Sequence, residues 1–163
     1  MVRPAEAEHI PSSINDVLRD AVLLFNSEAI IRNIRVETYF ADPLPKVKIN
    51  VVQIQQVATN LMMNAAEAME DGTTKKKITI STEATEGNNV RVAVSDVGPG
   101  IEEKDLDKLF DPFFTTKHSG LGMGLSLSRS IIESHGGRLQ AKNNPGKGST
   151  FYFDLPPAER GND

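Results

Sequence analysis

The chain has 163 residues, a net charge of -4 and ordinary shares of hydrophobic (39%) and charged (25%) side chains, which fits one domain able to bury its own core. It has no cysteine, so disulfides, thiolate zinc sites and thiol catalysis are excluded. The acidic balance offers no nucleic-acid surface, no apolar run approaches the roughly 20 residues that span a bilayer, and the first residues lack a signal-peptide pattern. The expectation is a monomeric, soluble, cytoplasmic domain without direct membrane contact, whose parent protein can carry membrane segments elsewhere. The basic run Lys75 to Lys77 lies between a loop and a strand and reads as a solvated edge.

Residues 1–13 are polar, punctuated by proline, and read as a linker. Ser12 or Ser13 can cap a helix from Ile14 to Arg32, in which Val17, Leu18, Ala21, Leu24 and Phe25 form an apolar stripe. Ile34 to Phe40 alternates like a strand, with Ile34, Val36, Thr38 and Phe40 on one side, and Val47 to Ile49 is a short second strand. A helix follows from Val51 to about Glu70, stopped by Asp71-Gly72. Lys77 to Ala84 and Asn89 to Asp96 read as a strand pair joined by a Glu86-Gly87-Asn88 turn. Residues 97–123 form a long loop with glycines at both ends, and Gly124 opens a helix to His135 that Gly136-Gly137 stops. Arg138 to Lys142 and Ser149 to Leu155 make a last strand pair around Asn144-Pro145-Gly146, and 156–163 are a tail. The fold class that follows is α+β: one domain over 14–155, a two-layer α/β sandwich with a mixed, mostly antiparallel sheet and helices on one face. A long structureless loop inside such a domain has one common rationale, a functional lid, here over 97–123.

Three motifs carry chemistry. On a wheel of 3.6 residues per turn, Ile54, Val57, Ala58, Leu61, Ala65, Ala68 and Met69 share the face that packs on the sheet, and Gln53, Asn60, Asn64 and Glu67 form a narrow polar stripe beside it. Asparagine is a mediocre helix former, so the stripe is either a solvated face or a site where Asn64 offers a neutral oxygen to Mg2+. Asp96-Val-Gly98-Pro-Gly100-Ile101 follows an apolar strand; its glycines let a flat ring approach the backbone, and a carboxylate selects a base with an exocyclic amine, as in adenine. An ordinary strand-end turn is the plainer reading. Gly120-Leu121-Gly122-Met123-Gly124-Leu125 leads into a helix, where bare amides and the helix N-terminus suit phosphates, with Lys117 just upstream; a flexible hinge is the plainer reading.

The order of these motifs, with Phe110-Asp-Pro-Phe113-Phe114-Thr-Thr-Lys117 between the two glycine runs and Gly146-Lys-Gly-Ser149-Thr150-Phe after them, closely resembles the N, G1, F, G2 and G3 boxes of sensor histidine kinases. Those kinases belong to the gyrase, histidine-kinase and MutL ATPase superfamily with the Bergerat-type ATP-binding fold, and the wording of the boxes is most similar to the nitrogen- and oxygen-sensing subgroup. The resemblance spans roughly residues 14–155. It implies ATP and Mg2+ as ligands. It implies that Asn64 binds Mg2+, that Asn60 sits beside the phosphates, and that Asp96 reads adenine with Gly98 and Gly100 giving room and Ile101 following. Thr150 is implied to support adenine through water. Gly120, Leu121, Gly122, Met123, Gly124 and Leu125 are implied to surround the phosphates with Lys117, and Phe110, Phe113 and Phe114 to belong to the ATP lid. Glu67 is either a group behind the ligands or a surface acid.

In gyrase-like relatives a glutamate one helical turn before the magnesium asparagine activates water. Here that position is Asn60, which has no base function, and this favours phosphoryl transfer over hydrolysis. The family's acceptor histidine lies in a helical His-Glu-x-x-x-Pro-like context, which His9, His118 and His135 all lack, so each reads as a surface or structural residue. The resemblance therefore implies a histidine kinase catalytic domain that phosphorylates a histidine on separate dimerisation helices and feeds a response-regulator receiver domain. The alternatives are a free-standing superfamily ATPase, an anti-sigma-type serine kinase, or a nucleotide-dependent binding module.

Overall fold

The computed structural model describes residues 9–70, 72–112, 114 and 124–158. Its first helix, α1 (Ile14–Ile31), starts where Ser13 accepts a hydrogen bond from the Asp16 amide at 3.4 Å. Ile14, Val17, Leu18, Ala21, Phe25 and Ala29 point inward. Leu24, expected in the same stripe, is 67% exposed, because one residue is about 100° of helix rotation and Phe25 takes the inward position.

Two strands follow, β2 (Arg35–Phe40) and β3 (Val47–Ile49), and then α2 (Val51–Ala68), whose N-cap Asn50 accepts from the Gln53 amide at 3.0 Å. The face foreseen for α2 is buried at Ile54, Val57, Ala58, Leu61, Ala65 and Met69, with Ala68 half-buried. Met62 and Ala66 are buried as well, because α2 packs between α1 and the last helix as well as on the sheet. Strands β4 (Lys77–Ala84) and β5 (Val90–Ser95) are joined through a 3-10 turn, and α3 (Gly124–Ser134) precedes β6 (Arg138–Asn143) and β7 (Ser149–Leu155).

The five-stranded sheet runs β2-β4-β5-β7-β6, with β2 parallel to β4 and every other pair antiparallel. Period-two alternation sends Ile78, Ile80, Val90, Val92, Val94, Leu139, Phe151, Phe153 and Leu155 toward the three helices. At about 1.5–3 kcal/mol for each fully buried large side chain, this one layer of contacts dominates the stability of the domain. The opposite face is polar: Arg91 pairs with Asp154 at 2.7 Å, and Arg91 and Lys142 both lie over the Tyr152 ring. Among the described residues no helix is long and apolar enough to cross a membrane.

Outside α1 and the site itself, the structure departs from the sequence reading in three places. Ile10–Ser12, read as linker, form strand β1, which pairs antiparallel with β3. Within the expected tail, Pro157 bridges Val47 and the Ala158 amide donates to the Lys46 carbonyl at 2.7 Å. The first part of the 97–123 loop is folded: Glu103–Lys108 form a 3-10 helix, Leu109 is buried, and the Phe110 ring meets Phe151 edge-on at 6.2 Å. In the loop and the tail the short turns lack a periodic signal, and their order comes from contacts distant in sequence.

Candidate functional site

Strand β5 delivers Asp96 to the point where the sheet ends against α2. The side chain is 2% exposed. Its Oδ1 accepts from the Gly98 amide at 2.9 Å and the Ser149 amide at 3.3 Å, and its Oδ2 accepts from the Ser149 hydroxyl at 3.0 Å. No cation offsets the carboxylate among the described residues, so these three donors hold the buried anion in place. Oδ2 keeps acceptor capacity, and a carboxylate can use it only for a donor such as an exocyclic amine.

Two glycines make this geometry possible. A Cβ on Gly98 would stand 2.8 Å from the Ala68 carbonyl, so the strand-end turn touches the end of α2 only as glycine. Gly148 has φ +90, and a Cβ there would overlap the Asp96 carbonyl. The turn before β7 can thus fold back on the end of β5, where the Asp96 amide donates to the Ser149 carbonyl at 2.9 Å.

The structure puts Ser149, and not Thr150, against Asp96. Thr150 pairs with Ser95 on the other face of the sheet; their hydroxyls are 2.6 Å apart, and Thr150 donates to Asn144 Oδ1. A one-residue change of register reverses the face, and the glycine-containing turn hides the phase of the strand. Sequence reasoning therefore missed Ser149, although it is the first hydroxyl after Gly146-Lys147-Gly148.

Gly100 leads into Ile101, whose main chain is gripped by one side chain: Asn143 Oδ1 accepts from the Ile101 amide at 2.7 Å, and Asn143 Nδ2 donates to the Ile101 carbonyl at 2.8 Å. On α2, Gln53, Asn60, Asn64 and Glu67 form a half-buried stripe. Asn60 Nδ2 donates to Ser128 Oγ of α3 at 3.4 Å, while the Asn64 side chain makes no hydrogen bond to a described residue. Gly124 and Leu125 form the N-terminus of α3. Lys117, Gly120, Leu121, Gly122 and Met123, with Phe113 and His118, lie outside the described residues. The expected site residues that are described thus fall on the end of β5, the polar stripe of α2 and the start of α3, while Thr150 falls on the opposite face.

His135 proves to be buried. Its Nε2 accepts from the Asn50 amide at 3.1 Å, and its ring stacks on His9 at 4.3 Å.

The fold that carries these residues recurs in known proteins. Residues 49–159 match the histidine kinase-, DNA gyrase B- and HSP90-like ATPase family, and the chain belongs to that family. Membership implies ATP binding. Within the family the chain is a catalytic domain of the sensor histidine kinase type. It is 39% identical over 158 residues to the sensor protein FixL of Bradyrhizobium diazoefficiens, covering 97% of this chain and 31% of the relative. It is also similar to the nucleotide-free catalytic domain of histidine kinase ThkA, with TM-score 0.81, 36% identity and coverage of 92% of this chain and 96% of that one. A structure of ThkA in complex with the response regulator TrrA matches with TM-score 0.77 and 33% identity, over 91% of this chain and 42% of that one. The chain spans between 15% and 34% of the length of the curated relatives it is similar to.

Proposed function

We propose that the chain binds MgATP between α2, the end of β5 and the start of α3. It then passes the γ-phosphate to a histidine on a separate pair of dimerisation helices, which in turn feed an aspartate on a response-regulator receiver domain. The observation that carries the nucleotide end of this reading is the buried Asp96 carboxylate, fixed by three donors and retaining one acceptor direction for the amine of adenine. Gly98 and Gly100 leave room for the ring, and Ser149 takes the supporting place first expected for Thr150.

Asn64 suits Mg2+: it is half-buried and uncommitted to any described residue, and its oxygen is neutral. Among the described residues no group of three His, Asp or Glu side chains is placed to hold a metal, so phosphates and water would complete the shell. The cation supplies charge neutralisation at the transferring phosphoryl group. Asn60 steadies the phosphate end through Ser128 and offers no base to a water molecule, which favours transfer to the imidazole over hydrolysis. In that transfer the bond from γ-phosphorus to the bridging oxygen breaks as a nitrogen–phosphorus bond forms, and ADP leaves. Lys117, Gly120, Leu121, Gly122 and Met123 belong to the same phosphate end by family resemblance, and the domain works in the cytoplasm. The response regulator bound to ThkA supports that class of partner.

The test is radiolabelled ATP incubated with the chain alone, and with the dimerisation helices supplied as a second chain. Acid-labile, base-stable label should appear on the helices only, with slow phosphate release by the chain alone. Rapid release by the chain alone would sink the kinase reading in favour of an ATPase.

A further inference from the structure

The helices that bear the nucleotide residues run antiparallel and are linked at two levels. Near mid-length, Asn60 of α2 donates to Ser128 of α3 at 3.4 Å. From that link four residues forward on α2 and four back on α3 lead the same way along the pair, to Asn64 and to Gly124 at the start of α3. At the other end, where α3 stops and α2 begins, the Asn50 amide donates to Nε2 of His135 at 3.1 Å. Asn50 is the N-cap of α2, so this bond grips the helix at its first turn.

The ring of His135 can play this part in one form only. Nδ1 lies 2.7 Å from the Ile131 carbonyl, which only accepts, so Nδ1 carries the proton. Nε2 faces an N–H donor, so it is bare. The neutral Nδ1–H tautomer satisfies both, whereas an imidazolium would set two donors head to head. The positive end of the α2 dipole lies on the same side and opposes the cation further.

We propose that His135 is a positioning residue for the phosphate end of the site: in its neutral form it fixes the register of α2 against α3, and through it the spacing between Asn64 and the N-terminus of α3. This rests on the nucleotide reading given above. A displacement of about 1 Å at a reacting group can cost on the order of a hundredfold in rate, so a register bond remote from the chemistry has leverage.

The surroundings of the ring support the neutral form. His135 is 7% exposed. Burial lowers its pKa from 6.5, the Ile131 carbonyl opposes that, and charge on the stacked His9 of the β1 approach lowers it further. On α3 itself Glu133 turns to Arg129 at 3.9 Å, and Lys48 of β3 is exposed. Among the described residues His9 is therefore the one charge acting on the ring. Because the unfolded imidazole titrates near 6.5, the stability contributed by the neutral ring is complete above that pH. It is lost as the pH falls from there toward the lower folded value.

The experiment titrates MgATP into the chain between about pH 5 and 8 by calorimetry, for the unchanged protein, His135→Gln and His135→Leu. Nitrogen-15 spectra of the same proteins without ligand are recorded alongside. Glutamine retains an acceptor for Asn50 but does not titrate, so His135→Gln should bind within about twofold of the unchanged protein at neutral pH and show no fall attributable to the ring below it. The phosphate titration of the ligand is common to both and cancels. His135→Leu leaves the Asn50 amide without its acceptor and should bind about tenfold more weakly at every pH. In the spectra, the amides of Asn50, Asn60 and Asn64 should move with one midpoint below 6.5, a midpoint that His9→Ala raises and His135→Gln abolishes.

Movement of Asn50 alone, or an unchanged pH profile in His135→Gln, overturns the proposal even if His135→Leu fails to fold. If MgATP does not bind to the unchanged protein while the three asparagines still titrate together, the nucleotide reading falls and the register role stands. If MgATP binds and its pH profile is the same with histidine or glutamine, the register role falls and the nucleotide reading stands.

Discussion

The two ends of the candidate site are built differently. Around Asp96, both carboxylate oxygens are already held: two backbone amides and one hydroxyl fix a carboxylate that is 2% exposed, and glycines admit the backbone contacts that put them there. Around Asn64, the structure is sparse. One 3.4 Å bond joins Asn60 to Ser128, the asparagines are half-buried, and Asn64 has no described partner. A preorganised end discriminates, because a ligand that lacks the right donor leaves buried acceptors unmet. A loosely held end can follow a group whose charge and geometry change during reaction. On the proposed reading, the contrast gives base selection to the sheet and phosphate chemistry to the helices.

The comparison is best broken at its most rigid point. Gly148→Ala places a Cβ against the Asp96 carbonyl at a φ of +90, and should lower unfolding free energy by about 3 kcal/mol or prevent folding, as read by urea denaturation. Asp96→Asn keeps the shape but turns a charged acceptor into an amide. ATP affinity should fall about a hundredfold, with the preference over GTP lost, in paired calorimetric titrations. Equal ATP and GTP affinity in the unchanged protein would remove adenine from the assignment.

The other end should respond more mildly. Asn64→Ala should weaken ATP binding about tenfold in Mg2+ and hardly at all in excess chelator, since one neutral ligand among about six is removed. Loss of equal size in both conditions would mean that Asn64 does not act through the cation. The finest test lies within β7, between two adjacent hydroxyls. Ser149→Ala should cost about fivefold in ATP affinity, while Thr150→Val, on the far face, should cost less than twofold. A reversal of that order would return the supporting role to Thr150.

Much of this was legible from residue order. The 3.6-residue period located α1 and α2, the two-residue period located β4 and β5, and Asp96 was identifiable as a carboxylate closing an apolar strand before glycines. The α2 polar stripe was visible because two asparagines sit where better helix formers would serve. What escaped depended on partners distant in sequence. Strand β1 is three residues with a proline and exists because β3 lies beside it. Leu109 and Phe110 order the start of the expected lid only by meeting the core, including Phe151, about 40 residues later. Ser149 was passed over for its neighbour because nothing in the glycine turn announces which residue of β7 faces inward. His135 read as an ordinary helix end, since its role depends on Asn50, 85 positions earlier.

The pairing of β5 with β7 has a consequence for the order in which the chain acquires its properties. Residues 90–95 bond to residues 150–155, so the strand that ends at Asp96 gains its second neighbour only when nearly the whole domain exists. Local helices can form early during synthesis, but a contact of such sequence separation waits for loop closure. A nascent chain emerging from the ribosome would carry α1, α2 and the hairpin of β4 with β5 well before Ser149 arrives to steady the carboxylate. On the proposed reading, competence to recognise a base thus waits for β7, and chains that stop short of it would leave β5 without its second neighbour and Asp96 without Ser149.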